Sequence, residues 1–60
     1  MVKYRVYGEY GPLGSMCIEQ VIDAPSADGA EEEFIRIIQE EYPIEWKYMG
    51  RSNVHVECAE

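Results

Sequence analysis

The stretch from Ser26 to Tyr42 constrains the fold most strongly, because its apolar residues repeat at the three- and four-residue spacing of an α-helix. The predicted helix is amphipathic: its glutamates and Arg36 fall largely away from the apolar stripe. A single helix of this kind needs a sheet to cover, so we expect the rest of the chain to supply one. The stripe consists of Ala30, Phe34, Ile37, Ile38 and Tyr42.

The ends of this helix are also marked in the sequence. Ser26 or Asp28 can accept hydrogen bonds from the free N–H groups of the first turn, and Asp28 with Glu31 fits the capping-box pattern. Pro43 is expected to end the helix, because proline lacks an N–H and disfavours helical geometry in the residue before it.

Two strands are predicted before the helix. The segment 2–10 alternates, with Val2, Tyr4, Val6 and Tyr10 facing the helix and Lys3, Arg5, Tyr7 and Glu9 facing away. Residues 11–14, Gly-Pro-Leu-Gly, predict a type I turn. In the second strand Met16, Ile18 and Ile22 share one side, and Cys17, Glu19, Val21 and Asp23 share the other. Gln20 falls on the apolar side, so we expect a β-bulge near Glu19 and Gln20.

Two more strands are predicted after Pro43. Ile44, Trp46 and Tyr48 alternate with Glu45, Lys47 and Met49, which predicts a third strand with its aromatic residues under the helix. Residues 50–53 predict a turn, and residues 54–58 a short last strand. The expected fold is a single α+β domain over residues 1–60, of ββαββ order, with an antiparallel sheet in strand order 2-1-3-4 and the helix on one face. The alternative is ββαβ, with one long bent strand from Ile44 to Cys58.

Composition limits the classes of partner. The 60 residues include twelve acidic and five basic side chains, a net charge of −7. This balance disfavours binding to nucleic acid and to anionic membranes. No apolar run approaches the roughly 20 residues that span a bilayer, and the N-terminal residues lack a signal peptide's apolar core. We therefore expect a cytoplasmic protein in which Cys17 and Cys58 are thiols rather than a disulfide.

No catalytic, cofactor-binding or metal-ligating residue is predicted. Cys17 and His55 could share a face as a thiol and a base, but no third group to orient them is evident. Two cysteines and one histidine without close paired spacing do not predict a zinc site. The glutamates of the helix are expected to be solvated, without the burial that raises a carboxyl pKa for acid–base catalysis.

The sequence instead favours a non-catalytic binding module, a protein-binding or regulatory accessory factor such as phages also encode. Its surface is expected to be the sheet face without a helix, or an edge strand, and its partner another protein or a second copy. The alternative is an inhibitor that mimics nucleic-acid charge through Glu32, Glu33 and Glu40. The residues predicted to bind a partner are Lys3, Arg5, Tyr7, Lys47, Met49, Arg51 and His55.

Overall fold

A computed structural model describes residues 1–59 and places them in one three-stranded antiparallel sheet with two helices. The strand order is β2-β1-β3, so β1 is central and the other two strands are edges. Short 3₁₀ turns precede β2 and β3. The predicted α+β class is confirmed. The elements are β1 (Val2–Tyr10), β2 (Met16–Ala24), α1 (Ala27–Glu41), α2 (Pro43–Met49) and β3 (Val54–Cys58), with 3₁₀ turns at Pro12–Gly14 and Arg51–Asn53.

The predicted ββαββ order is not confirmed, because the segment expected to be a third strand is the second helix, α2. The bent strand of the ββαβ alternative is absent for the same reason. Among residues 1–59, the only strand after the helices is β3, and it pairs with β1 from Tyr4↔Cys58 to Gly8↔Val54. The last predicted strand is therefore present, and it occupies the place next to β1.

Helix α2 forms because its two ends are suited to a helix. Pro43 stands in the first helical turn, where no intrahelical N–H donor is needed, so it begins α2 as well as following α1. Glu45 lies near the positive end of the helix dipole and Lys47 near the negative end. Gly50, at φ 68°, ends the helix, and Asn53 Nδ2 donates to the Met49 carbonyl oxygen at 2.6 Å.

The helical geometry changes which of these side chains are buried. Trp46 and Met49, three residues apart, face the core, while Ile44 and Tyr48, four apart, face solvent with 70% and 68% exposure. The expectation that Tyr48 lies under the helix is wrong. The expectation that Met49 lies on the open side of the sheet is also wrong, since its side chain is only 2% exposed.

Helix α1 matches its predicted extent, with one correction at its start. The Ser26 hydroxyl caps it by accepting the Gly29 N–H at 3.1 Å, whereas Asp28 lies inside the first turn and does not act as the cap of a capping box. Ala30, Phe34 and Ile38 of the predicted stripe are buried, and Ile35 is buried as well. The helix therefore covers the sheet with a slightly wider apolar face than the predicted stripe.

Strands β1 and β2 pair residue for residue, from Val2↔Ala24 to Tyr10↔Met16. The expected bulge near Gln20 is absent: Gln20 lies opposite Val6 and is half-buried on the helix side.

The turn that connects β1 and β2 is where we expected it, but its third residue, Leu13, has φ 58°. A positive φ at that position is a property of type II turns, so the type I prediction is wrong.

Side-chain parity in β1 is as predicted, and it places the core on the even-numbered side. The core consists of Val6 from β1, Ile22 and Ala24 from β2, three residues of α1, and Met49 of α2. Met49 lies directly on β1 at Gly8. A Cβ atom built on Gly8 would stand 2.2 Å from the Met49 sulfur, so any other residue at this position requires the Met49 side chain to move.

Replacing Leu13 with glycine is expected to stabilise the fold by about 0.5–1 kcal/mol. A left-handed conformation costs a non-glycine residue roughly 1–2 kcal/mol, and the greater freedom of glycine in the unfolded chain offsets part of the gain. Urea denaturation measures the change. Leu13→Ala is the control, because it removes the same fully exposed side chain but keeps the Cβ atom. Equal stability of the two variants would contradict the proposed strain.

Replacing Gly8 with alanine is expected to destabilise the fold by about 1–3 kcal/mol, because the new methyl group overlaps the buried Met49 side chain. Met49→Ala alone is expected to cost about 2–5 kcal/mol through the cavity it leaves. In the double variant the Gly8→Ala methyl group enters that cavity, so the two costs should fall short of their sum by about 1 kcal/mol or more. A double-mutant cycle by denaturation tests this, and additive costs would refute the contact.

Candidate functional site

One face of the sheet is covered by neither helix, and we call it the open face. It carries the odd-numbered residues of the strands, because the core and both helices lie on the even-numbered side. Pairing across the three strands aligns these residues in rows, such as Glu19–Tyr7–His55 and Val21–Arg5–Glu57. The open face consists of Lys3, Arg5, Tyr7, Glu9, Cys17, Glu19, Val21, Asp23, His55 and Glu57.

Four of the seven residues predicted to bind a partner lie on this face: Lys3, Arg5, Tyr7 and His55. The other three do not, because α2 replaces the expected third strand. Lys47 is exposed on α2, Met49 is buried beneath it, and Arg51 lies in the following turn against α1.

The centre of the open face is a stacked cluster of Arg5, Tyr7 and His55. The Arg5 guanidinium carbon lies 5.0 Å from the centre of the Tyr7 ring, in a cation–π contact. The rings of Tyr7 and His55 are 5.1 Å apart and tilted by 32°. Arg5 and Tyr7 lie two residues apart on β1, and the contact of Tyr7 with His55 crosses to β3, so the sheet sets the positions of the three side chains relative to one another.

Ion pairs surround the cluster and hold Arg5 in place. Its Nη1 lies 3.5 Å from a Glu19 carboxylate oxygen and its Nη2 lies 2.5 Å from one of Glu57, on the strands to either side. Lys3 pairs with Asp23 at 3.4 Å, and His55 Nε2 lies 3.8 Å from Glu9. These groups are about half exposed, so each of the three pairs made by Arg5 and Lys3 contributes roughly 0.2–1 kcal/mol at most.

The open face is therefore mildly acidic around an aromatic and cationic centre. It carries two fixed cations and four carboxylates. Val21 adds an apolar patch beside Arg5, with 60% of its surface exposed. Tyrosine and arginine are enriched at protein–protein interfaces relative to the rest of the protein surface.

A second exposed apolar ridge was missed by the sequence analysis. Ile44 and Tyr48 lie one helical turn apart on the outer side of α2, next to Lys47. Their four-residue spacing directly after a proline is the signal that could have revealed them. The alternation of the same segment favoured a strand instead.

The acidic helix, the alternative functional surface, is paired with arginines of the same chain. Arg36 contacts Glu33 one turn before it and Glu40 one turn after it, the latter at 3.2 Å. Arg51 reaches α1 from the turn before β3 and lies 2.9 Å from Glu32 and 3.1 Å from Glu31. Each of the residues proposed to mimic nucleic-acid charge, Glu32, Glu33 and Glu40, is thus partly neutralised.

These pairs shift the titration of their members. A hydrogen bond from Arg36 lowers the pKa of Glu33 below the ordinary value of a glutamate, and the same bond raises the pKa of Arg36. The hydrogen bond to Glu32 is the largest cause that raises the pKa of Arg51. Because these groups are exposed, solvent screening keeps the associated stabilisation small.

Replacing Arg36 with glutamine is expected to raise the pKa of Glu33 toward the ordinary glutamate value, because the bond that favours the carboxylate is lost. With the folded-state pKa lowered, the pair stabilises the folded chain above the ordinary pKa. That contribution is lost as the pH falls through the lowered value. NMR titration of the carboxyl carbons measures the Glu33 pKa in the wild type and in Arg36→Gln.

The matched control for this titration is Arg51→Gln, which removes the same charge but leaves the Arg36–Glu33 contact intact. It should leave the Glu33 pKa nearly unchanged. Equal shifts in the two variants would show that general charge, rather than the hydrogen bond, sets the titration of Glu33.

The two residues considered for thiol chemistry lie on the same face but on different edge strands. Cys17 pairs with Glu9 and His55 pairs with Tyr7, so β1 separates them by two strand spacings, roughly 10 Å. Within residues 1–59 no three metal-ligating side chains come together, and no pocket is present. Neither helix of the described chain has the length and apolar character needed to cross a bilayer.

The geometry defines the chain as a small α+β domain with one uncovered sheet face. Comparison with protein-family models, with curated proteins and with solved structures finds no match to the chain.

Proposed function

We propose that this protein is a non-catalytic binding module of the cytoplasm, an accessory or regulatory factor that docks another protein on the open face. The observation that carries the proposal is the cluster of Arg5, Tyr7 and His55 at the centre of that face. Tyrosine and arginine are, with tryptophan, enriched among the few residues that dominate the binding energy of protein interfaces.

The order within the cluster supports this role. Arg5 is fixed by Glu19, Glu57 and the Tyr7 ring, so it loses less conformational freedom on binding than a mobile arginine would. Val21 and Tyr7 supply apolar area next to it. The surrounding carboxylates are themselves paired with Lys3, Arg5 and His55, so we expect a partner to contact the aromatic and apolar centre rather than the charges around it.

The acidic helix is a less suitable docking surface for a basic partner. Its Glu32, Glu33 and Glu40 carboxylates already pair with Arg51 and Arg36. A partner would have to displace these arginines or share their carboxylates. We therefore favour the open face over the nucleic-acid mimic that the sequence also suggested.

Affinity capture from a lysate of the source cells tests the two surfaces against each other. The bait is the wild-type protein, Tyr7→Ala, or a triple variant with Glu32, Glu33 and Glu40 changed to glutamine. We expect a protein captured by the wild type to be retained by the triple variant. We expect Tyr7→Ala to weaken its binding at least about tenfold, the effect of losing an interface anchor.

The matched control is Tyr42→Ala, which removes a partly exposed tyrosine from the junction of the helices. It should bind as the wild type does, with the fold of each variant checked by its amide NMR spectrum. Loss of capture in the glutamine variant with retention in Tyr7→Ala would replace the open face with the acidic helix as the binding surface. No specific capture by the wild type would contradict the proposal.

A further inference from the structure

The outer side of β2 is an exposed strand edge, and we call it the β2 edge. Within residues 1–59 no strand pairs with it, because β2 stands first in the order β2-β1-β3. The strand runs for nine residues in continuous register with β1, without a bulge, and it contains no proline and no lysine. Short length, bulges, prolines and lysines are features with which proteins protect an edge from pairing with another chain, and β2 has none of these four.

The backbone of β2 is oriented for pairing on its outer side. The Ala59 N–H donates to the Lys3 carbonyl oxygen at 2.9 Å, so the N–H and C=O of Lys3 are directed toward β3. These groups point to opposite sides in successive residues of a strand. Val6 therefore bonds to Gln20 of β2, and the odd-numbered residues of β2 direct their N–H and C=O groups outward. These residues are Cys17, Glu19, Val21 and Asp23.

The side chains beside the β2 edge form a pattern of charge that an added strand has to match. Glu19 and Asp23 lie two residues to either side of Val21, which is 60% exposed. On their inner side, Glu19 lies 3.5 Å from Arg5 and Asp23 lies 3.4 Å from Lys3. Both distances exceed the roughly 2.7–2.9 Å of a strong charge-assisted hydrogen bond. About half of each acidic side chain is exposed, so each carboxylate can also contact a cation on a strand added outside β2.

A second copy of β2 does not supply such cations, because β2 contains no basic residue. In every register of two β2 strands, Glu19 and Asp23 meet only uncharged or acidic residues. A different strand matches the pattern if it has two basic residues four positions apart and an apolar residue midway between them. Opposite charges then face Glu19 and Asp23, and the apolar residue faces Val21. Charge therefore favours a basic segment of another protein over a second copy.

We propose that the β2 edge binds an extended segment of another protein, which joins the sheet as a fourth strand antiparallel to β2. Two basic residues of this segment lie opposite Glu19 and Asp23, and an apolar residue lies opposite Val21. Hydrogen bonds to the outward N–H and C=O groups supply affinity, and the three side-chain pairs supply specificity. The contact does not require the stacked cluster of the open face, so it goes beyond the proposed function.

The probe is a nine-residue threonine peptide with lysine at its second and sixth positions, valine at its fourth, and acetylated and amidated ends. Paired antiparallel along the nine residues of β2, it places the lysines opposite Asp23 and Glu19 and the valine opposite Val21. In NMR titration of isotope-labelled wild-type protein at physiological salt, it should shift the β2 amide signals saturably. It should also slow the hydrogen exchange of the Glu19 and Val21 amides, which the added strand covers.

Two control peptides separate the pairing from general attraction between opposite net charges. The first has glutamate in place of both lysines, and it should bind at least about tenfold more weakly, because like charges then face Glu19 and Asp23. The second keeps the composition but moves the lysine from the sixth position to the fifth, which places it on the other side of the strand. It should bind about threefold more weakly or less tightly still. No saturable shift of the β2 amides, or equal binding of the two lysine peptides, would overturn the proposal.

A substitution at Val21 tests the backbone contact. Val21→Pro removes an outward N–H but no hydrogen bond to β1, and proline is tolerated on an edge strand in this orientation. It should weaken binding of the lysine peptide at least about tenfold, since the added strand loses an acceptor's partner and meets the proline ring. Val21→Thr keeps the N–H and the β-branched shape, and it should bind within about threefold of the wild type. Equal binding by the two variants would refute strand pairing at this edge.

The peptide comparison uses only wild-type protein, so it decides the question even where the proline variant does not fold. Tyr7→Ala distinguishes the β2 edge from the open face, because it removes the aromatic centre of the face and no backbone group of β2. It should bind the lysine peptide as the wild type does. Loss of peptide binding in Tyr7→Ala would assign the peptide to the open face and overturn the β2 edge. Failure of the peptide to bind leaves the capture experiment on the open face to be judged separately.

Discussion

The contact of Met49 with the backbone of Gly8 is the constraint on which the rest of the architecture depends. At Gly8 the central strand has no side chain, and the Met49 side chain fills that space as part of the core. The contact fixes the end of α2 over β1. From there Gly50 and a 3₁₀ turn return the chain to the sheet, and β3 begins with Val54 opposite the same Gly8. The space left at Gly8 thus holds the end of α2, next to the point where β3 begins.

The sequence predicted the parts of the fold that rest on strong periodicity. The stripe of α1 and the two-sided pattern of β1 were assigned correctly, because each segment has one covered face and one solvated face. The segment after Pro43 was assigned wrongly, because apolar residues at 44, 46 and 48 satisfy alternation. In a helix only Trp46 of these three packs inward. The capping signals of the segment, a proline at its start and a glycine after its end, were better guides than its periodicity.

The candidate site could be predicted only in part for the same reason. Lys3, Arg5, Tyr7 and His55 were placed on one face because strand parity alone determines their direction. The position of Arg51 could not be predicted. Its contact with Glu31 and Glu32 depends on where the turn after α2 lies relative to α1. Its pairing with Glu31 and Glu32 makes the acidic helix a less suitable binding surface than the open face. Two arginines moderate the helix charge, while the open face keeps an ordered aromatic and cationic centre.

The unequal lengths of the strands have a practical consequence. β3 spans only the part of β1 from Tyr4 to Gly8, so the β1–β2 hairpin continues past it as a two-stranded ribbon with the fully exposed Leu13 in its turn. A ribbon tip that carries no core residue tolerates inserted sequence well. An affinity tag or a fluorescent label placed between Pro12 and Gly14 would project from the end of the molecule, leaving the helices and the open face accessible.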